Sequence, residues 1–399
     1  MQSVRTVVAP PPGATVTAAR SIPEVEGLRP VWERLQGASL PSDIDYFLTV
    51  ARHNPEIVRP HVLMVEPAVG APSLLAAHVS RLRVPHRLGP WVAYAPRLRV
   101  LNVFRGVVGD PSGDELATAL SILRRDLGNG IDAILLRNVP VRSTLHETAL
   151  SVFPSHSRQR FLGHRARWDA DISASADRAL EALSESTRGN LRRAERRLER
   201  TFGNDLRIEL YDSPGDAETV FRDIDAVAEK TYQTKMQPIF RDAPLERELT
   251  RLGLEKGWFR AYLLYVGDRP VSFWTGFSYA GTFGWRGFTG YDPEFRSFGV
   301  GKYLLSAMLD QLARDPSITR LTLGVGDLPY KSRFGGRGEE EVDVRIFAST
   351  PRATFANYVG AGVQGVHAGF RAARALPVVG RHLDAQHEGI KRRQRRTHD

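Results

Sequence analysis

The chain of 399 residues contains no cysteine. Disulfide frameworks, thiolate catalysis and thiolate-built zinc sites are therefore excluded. His, Asp and Glu remain as metal ligands, but the 11 histidines fall singly. None forms the i, i+4 helical pair with an intervening Glu that presents two imidazoles to zinc, so no metal is expected. Long hydrophobic runs are absent as well: Glu66 interrupts His61 to Val79, and Arg371 cuts the glycine-rich stretch near the end. Neither reaches the roughly 20 uncharged apolar residues of a membrane-spanning helix. The opening segment, MQSVRTVVAPPPGATVTAARS, has too short an apolar run for a secretory signal, and residues 1–20 read as a flexible tail of a cytoplasmic protein. Neither a G-x-S-x-G elbow nor a P-loop occurs.

With 42% hydrophobic and 25% charged residues, the chain is apolar enough to fold and too long for one ordinary core, which argues for two globular domains. Lys and Arg number 55 against 45 Asp and Glu, a net charge of +10. The excess is concentrated: Arg188 to Arg200 holds six Arg against two Glu, and Lys391 to Asp399 holds five basic residues against one acid. A basic tail such as KRRQRR either contacts nucleic acid or anionic lipid nonspecifically or merely solvates the chain. In STRGNLRRAERRLER, Leu191, Ala194 and Leu198 are the apolar positions of an otherwise charged helix. That helix is either an exposed one braced by i, i+4 charge pairs or a positive face for an anionic ligand.

Pattern and capping place short helices at Pro23 to Gln36 and Ser42 to Ala51, the second opened by Ser42 and Asp43. Strands are expected at His61 to Val65, Ser73 to Arg83, Val100 to Val108 and Ala133 to Val139, with a helix over Asp114 to Leu127. A polar passage, Asp169 to Ala176, marks the domain boundary. The second half reads as strand Leu206 to Tyr211, helix Asp216 to Thr231, and strands Trp258 to Val266, Val271 to Tyr279 and Thr282 to Tyr291. Tight turns at Gly267-Asp268 and Ala280-Gly281 make those three strands an antiparallel meander. Helix Tyr303 to Ala313 and strands Thr319 to Leu323 and Val342 to Phe347 follow, and a helical, glycine-rich segment begins at Pro351.

The most informative stretch is GYDPEFRSFGVGKYLL, in which Arg296, Gly299 and Gly301 form R-x-x-G-x-G between a strand and a helix. Glycines there let the backbone turn tightly and approach an anion, while free amides and the positive end of the helix dipole suit a pyrophosphate; Lys302 adds charge. The same glycines would also serve an ordinary helix-entry turn. This loop resembles the acetyl-CoA loop of the GCN5-related N-acetyltransferase (GNAT) superfamily, and Pro293, three residues before the Arg, matches too. The order of meander, loop, helix and strand extends the resemblance over roughly Leu206 to Ser349. A second stretch, GVGDLPYKSRFGG, with Gly324, Gly326, Asp327, Tyr330, Lys331, Arg333 and Phe334, resembles a signature of the branch associated with cellulose and other exopolysaccharide biosynthesis. The Arg-rich helix is similar to the basic helix preceding the catalytic domain in that branch. One departure is Ser297-Phe298-Gly299 where the branch often has Ser-Pro-Gly, which keeps the anion-binding glycine and loses the proline.

The resemblance implies an α+β fold of tandem acyl-CoA N-acyltransferase-like domains, each a mixed, mostly antiparallel sheet flanked by helices. Residues 21–170 would be a degenerate copy, lacking R-x-x-G-x-G and shaping the substrate groove, and residues 171–350 the catalytic GNAT domain. Residues 351–399 would form a helical segment and basic tail. It further implies acetyl-CoA or another acyl-CoA as cofactor, held by Thr289, Tyr291, Arg296, Ser297, Phe298, Gly299, Val300, Gly301 and Lys302. Tyr330 is the candidate acid for the leaving thiolate, or else a packed tyrosine; Asp327 is either a base or a helix cap, and Glu294 is a further base candidate. Lys331 and Arg333 would hold an anionic substrate or a CoA phosphate, or lie on a solvated face. The partner would be a small-molecule or glycan amine, with a polysaccharide or cell-envelope precursor as one class. Two rivals stand beside this reading: a Fem-type aminoacyl transferase using aminoacyl-tRNA, and a catalytically degenerate scaffold of polysaccharide biosynthesis. Gly360, Gly362 and Gly365 also spell G-x-G-x-x-G, but the preceding Pro351 to Tyr358 reads as helix rather than strand, which argues against dinucleotide binding.

Overall fold

A computed structural model describes residues 14–88, 91–159, 163–172, 185–231, 240, 242–326, 331 and 336–375. The first half runs β1 (Thr15–Ala19), α1 (Ile22–Glu26), α2 (Arg29–Leu35), α3 (Ile44–His53), β2 (Ile57–Glu66), β3 (Ser73–Arg83), a small hairpin of β4 (His86–Leu88) and β5 (Trp91–Tyr94), β6 (Arg97–Phe104), β7 (Val107–Val108), α4 (Gly113–Asp126), β8 (Ala133–Pro140), α5 (Thr144–Val152) and β9 (Arg165–Asp171). The second runs α6 (Glu185–Phe202), β10 (Leu206–Tyr211), α7 (Ala217–Ala228), α8 (Pro244–Glu255), β11 (Phe259–Val266), β12 (Arg269–Tyr279), β13 (Thr282–Tyr291), α9 (Val300–Ala313), β14 (Arg320–Val325), β15 (Gly336–Phe347) and α10 (Pro351–Ala375).

The halves repeat one plan: an outer strand, a helical excursion, an antiparallel meander of three strands, a helix, and a strand parallel to the last of the three. Both lie in one 13-stranded sheet ordered β1-β2-β3-β6-β8-β15-β9-β14-β13-β12-β11-β10, with β7 beside β3. The join is an exchange. Strand β9 leaves the first half to pair with β14, β15 leaves the second to pair with β8, and the two pair with each other. The division expected near residue 170 therefore falls at the end of a strand that belongs to the second half's sheet.

Helices cover both faces. In α4, Leu116, Ala119, Leu120 and Leu123 recur at helical spacing, are buried, and pack on strands that include β15 through Val342, Val344 and Ile346. On the opposite face α1 to α3 bury Val25, Trp32, Phe47 and Leu48 against β2 and β3, and the Trp32 indole donates to the Ser42 carbonyl at 2.7 Å. In the second half α6 and α9 share one core and α7 and α8 the other. The halves also meet where α3 packs on α8. There Tyr279 donates to the Asp43 carboxylate at 2.9 Å and Lys256 pairs with Asp45 at 2.7 Å.

Several boundaries differ from the sequence reading for identifiable reasons. Within the stretch expected as a loose tail, residues 1–20, the segment Thr15 to Ala19 is instead a strand, β1, paired with β2. The strand expected over Val100 to Val108 breaks at Arg105, whose φ is +49, and at Gly106, where a β-carbon would lie 1.9 Å from the Ala76 carbonyl oxygen. Asp43 alone caps α3, accepting the Asp45 and Tyr46 amides, while the Ser42 hydroxyl donates to the Ser39 carbonyl. Gly360 lies inside α10 against the His86 ring, a packing glycine rather than a dinucleotide turn.

Candidate functional site

The expected loop lies between β13 and α9. Asp292 caps a 3-10 turn over Pro293–Phe298, and Gly299 ends it at φ +76, a left-handed conformation that favours glycine. Helix α9 begins at Val300, a turn earlier than its apolar pattern suggests, so Val300 and Gly301 supply the first helical amides. The first intrahelical acceptor, the Gly299 carbonyl, serves Lys302 and Tyr303 instead. Arg296 and Lys302 are exposed beside them, with no acidic partner among the described residues. The donor set therefore suits an anion such as a pyrophosphate: paired helix-start amides, a glycine turn and two uncommitted cations.

Strand β13 leads into this loop and diverges from its parallel neighbour. It pairs with β14 only at Thr282↔Arg320 and Phe283↔Leu321. Beyond them Gly284 has φ +99 and Arg286 φ +50, and the register with β12 shifts twice. The β14-facing edge from Gly284 to Tyr291 is consequently outside any ladder with β14, and forms one side of a wedge. In the first half the equivalent parallel pair stays closed, with β6 and β8 matched from Val100↔Ala133 to Phe104↔Arg137. One half thus has both wedge and glycine loop, and the other has neither.

The Arg-rich helix α6 braces the loop from outside. Leu191 and Leu198 are buried, Ala194 faces Gly299, and Phe202 packs on Phe295 and Phe298 with ring centroids 5.8 and 5.0 Å away. The Arg197 guanidinium donates to the Ser297 carbonyl at 2.6 Å. The helix is thus a packed one with arginines outward, and one of them closes the turn. Below the loop, Asp292 is almost wholly buried. Burial pushes its carboxyl up, but hydrogen bonds from Arg269, the Glu294 amide and Lys230 outweigh that and hold it below the usual carboxylate range.

The other expected residues separate. Thr289 donates to the Phe273 carbonyl at 3.0 Å, and the Tyr291 carbonyl accepts from Thr231 at 3.1 Å, so both belong to the strand end beneath the loop. Glu294 is exposed and ion-paired with Arg269, which commits the carboxylate expected as a base. Lys331, expected to hold an anionic substrate, is buried and donates to the Val325 carbonyl at 2.9 Å. Asp327, Tyr330, Arg333 and Phe334 lie outside the described residues. Gly324 and Gly326 end β14 at φ +72 and +107, which accounts for the glycines of that signature. Among the described residues no group of His, Asp and Glu is arranged to hold a metal, and no helix is long and apolar enough to cross a membrane.

A cluster at the junction of the halves went unnoticed in the sequence. Arg105 from β6's end and Arg167 from β9 lie over the Trp285 ring at 5.6 and 4.8 Å, and both pair with Glu341 of β15, which is fully buried. Burial, then the neighbouring Arg167, lowers the Arg105 guanidinium to about 10. Trp285 stands in the distorted part of β13, so the first half reaches directly to the strand of the wedge. The available signal was Gly284, Gly287 and Gly290 within a strand pattern, which marks a bulge or close backbone approach.

Residues 185–332, which run from α6 to just past β14, match the family model for the acetyltransferase (GNAT) domain. Among solved structures, FemX is similar with a TM-score of 0.55 at 10% identity, over 84% of this chain and 98% of its own. The C-terminal domain of a putative lysylphosphatidylglycerol synthetase from Agrobacterium fabrum has a TM-score of 0.50 at 12% identity, over 86% and 97%. At such identities the likeness is one of fold. No curated protein is similar to the chain in sequence.

Proposed function

We propose that the protein is an acyl-CoA-dependent N-acyltransferase, with acetyl-CoA as donor and an amine as acceptor. The observation that carries this reading is the wedge between β13 and β14 opening onto the Gly299–Gly301 helix start. In it Arg296, Lys302 and the amides of Val300 and Gly301 hold the pyrophosphate, with Ser297, Phe298 and Gly299 shaping the turn. The backbone of Gly287 to Tyr291, including Thr289, faces the pantetheine arm and orients the thioester carbonyl. Bound acetyl-CoA supplies the activated acyl group. The acceptor nitrogen forms the new C–N bond as the C–S bond breaks; Asp327 takes the proton leaving nitrogen, and Tyr330 gives one to the departing sulfur. Glu294 has no part in this scheme, because Arg269 occupies it. An amino sugar or another polysaccharide or envelope precursor is the acceptor class, and the cytoplasm, where acetyl-CoA is made available, is the compartment.

The test is calorimetric titration with acetyl-CoA beside Gly301→Glu. A β-carbon at 301 meets the Tyr291 ring at 3.6 Å and the Ser272 hydroxyl at 4.0 Å, both ordinary contacts, so the variant should fold while its carboxylate blocks and repels the pyrophosphate. Binding in the micromolar range by the parent, lost in the variant, supports the reading; a folded parent that does not bind removes it. The second reading is an aminoacyl transferase with aminoacyl-tRNA as donor, favoured by the outward arginines of α6 and by the likeness to FemX. Amine acylation with aminoacyl-tRNA and none with acetyl-CoA would decide for it.

A further inference from the structure

Between the halves lies a cleft of about 340 Å³, at the lower end of the roughly 300–1,000 Å³ of small-molecule sites. Its floor is the face of the first half's sheet that carries His78 and Ser80 on β3, Asn102 and Phe104 on β6, and Arg137 on β8. These are register neighbours: His78 stands opposite Asn102, and Phe104 opposite Arg137. Part of the far wall is Arg286, in the distorted stretch of β13 next to Gly287. The floor of the degenerate half therefore faces the reacting strand of the other.

The chemistry of this floor is not that of a core. Asn102 has its Oδ1 buried without a hydrogen-bond partner, a state that costs free energy unless something supplies a donor. His78 is held neutral by burial, which lowers it to about 4; its Nε2 donates to the Phe47 carbonyl at 3.4 Å, so the ring offers Nδ1 as an acceptor rather than a charge. Phe104 is 38% exposed, a flat apolar platform two residues along the same strand. Over that ring, at 5.5 Å, sits the Arg137 guanidinium, exposed and without an acidic partner among the described residues. Arg286, in contrast, is neutralised by Glu246. Glu56, also on the lining, is displaced along β3 by about five residues, or ~17 Å at strand spacing, so it does not offset Arg137. A ring platform, planar amide and imidazole groups and one uncommitted guanidinium suit a hydroxylated ring that carries an acid group.

We propose that this cleft is the acceptor site and that the acceptor is a monosaccharide-sized sugar amine bearing a phosphate, its ring on Phe104 and its phosphate on Arg137. This rests on the acyltransferase reading for the word acceptor; the binding itself does not. The probes are glucosamine 1-phosphate, glucosamine 6-phosphate, glucosamine and inorganic phosphate, each titrated calorimetrically into the full chain with and without coenzyme A. At least one hexosamine phosphate is expected to bind about tenfold or more tighter than glucosamine, as a charge-assisted contact warrants. Arg137→Ala, at an exposed position, should erase that difference, and Phe104→Ala should weaken glucosamine and its phosphates alike. The inference is overturned if neither phosphate binds, if Arg137→Ala leaves the preference intact, or if inorganic phosphate binds as tightly as the sugar phosphates. Acetyl-CoA titration of the same sample separates the failures. Cofactor binding without sugar phosphate binding sinks only this inference, and the reverse sinks only the acyl-CoA reading. With no cysteine in the chain, thiol release can then be followed without background.

Discussion

The methyl group of Ala194 on α6 fills the space that a side chain on Gly299 would need: a β-carbon at 299 would come within 3.1 Å of it. Gly299 is also left-handed, at φ +76. Gly299→Ala is therefore expected to lose about 1–2 kcal/mol from backbone strain, before any cost of displacing α6. Gly301 is different. It is helical, and its β-carbon would meet the Tyr291 ring at an ordinary 3.6 Å, so Gly301→Ala should be neutral or stabilise by about 0.5–1 kcal/mol. Urea denaturation of the two variants measures both. Equal effects would show that the turn makes no left-handed demand.

Glu341 joins Arg105 and Arg167 in the buried cluster over Trp285. Its carboxylate is wholly inside the protein, and both cations are mostly buried. Removing one partner of such a group leaves uncompensated charge, a loss of about 3–5 kcal/mol. Glu341→Ala should show a loss of that size in equilibrium unfolding. Replacing Arg105 with Ala in that background should cost much less than in the parent, because the charge it leaves unpaired is already gone. Additive losses in the double-mutant cycle would mean that the residues act independently.

How legible was this in the sequence? Local signals carried the second half well: the turns at Gly267-Asp268 and Ala280-Gly281 and the R-x-x-G-x-G loop all mark real elements. Helix α8 has a start signal in Pro244 at its first position and Glu246 in its first turn, but its cap, Ala243, makes no side-chain hydrogen bond, so half of the usual signature is missing. The strand exchange was invisible for a different reason. Which strand β15 pairs with depends on long-range packing, and nothing local in GRGEEEVDVRIF names β8. The Arg105, Arg167, Trp285 and Glu341 cluster gathers residues from both halves, so it forms only once the sheet does. At the site, the cofactor loop was readable because one short segment builds it. The floor at Asn102 and Phe104 was not, since polar residues alternating on a strand look like a solvated face.

Two buried histidines contribute to the loss of stability in acid. Burial, with Arg59 and Arg20 nearby, lowers His61 to about 3, and burial lowers His78 to about 4. Unfolded histidine titrates near about 6.5, so between that value and the folded one the unfolded chain binds more protons. Their stabilisation is thus complete above about pH 6.5 and is lost as pH falls towards the folded values. For His78 the loss amounts to ~3 kcal/mol. The His78 ring stacks on Phe47 at 4.1 Å, so His78→Phe keeps a ring there while removing the titration. Unfolding free energy measured from pH 7 to 4 should fall less steeply in the variant, with the His61 part remaining. An unchanged slope would show that His78 is not held neutral.

The exchange of β9 and β15 makes the two halves depend on each other. Val342, Val344 and Ile346, near the end of the chain, are core residues of the first half, while Ile172, with Trp168 and Ala170, packs into the core of the second. Burying three such aliphatic side chains contributes ~5 kcal/mol or more, comparable with the ~5–15 kcal/mol by which whole domains are stable. A fragment spanning residues 14–172 would also leave unpaired the backbone N–H and C=O groups on the edge of β8 that β15 covers. It should therefore fail to unfold cooperatively on its own, as should residues 185–375. Mixed or co-expressed, the two should form a complex that recovers a single transition by circular dichroism. A first fragment that is monomeric and unfolds cooperatively alone would show that the exchanged strand is dispensable, and that the repeated plan still folds as two separate units.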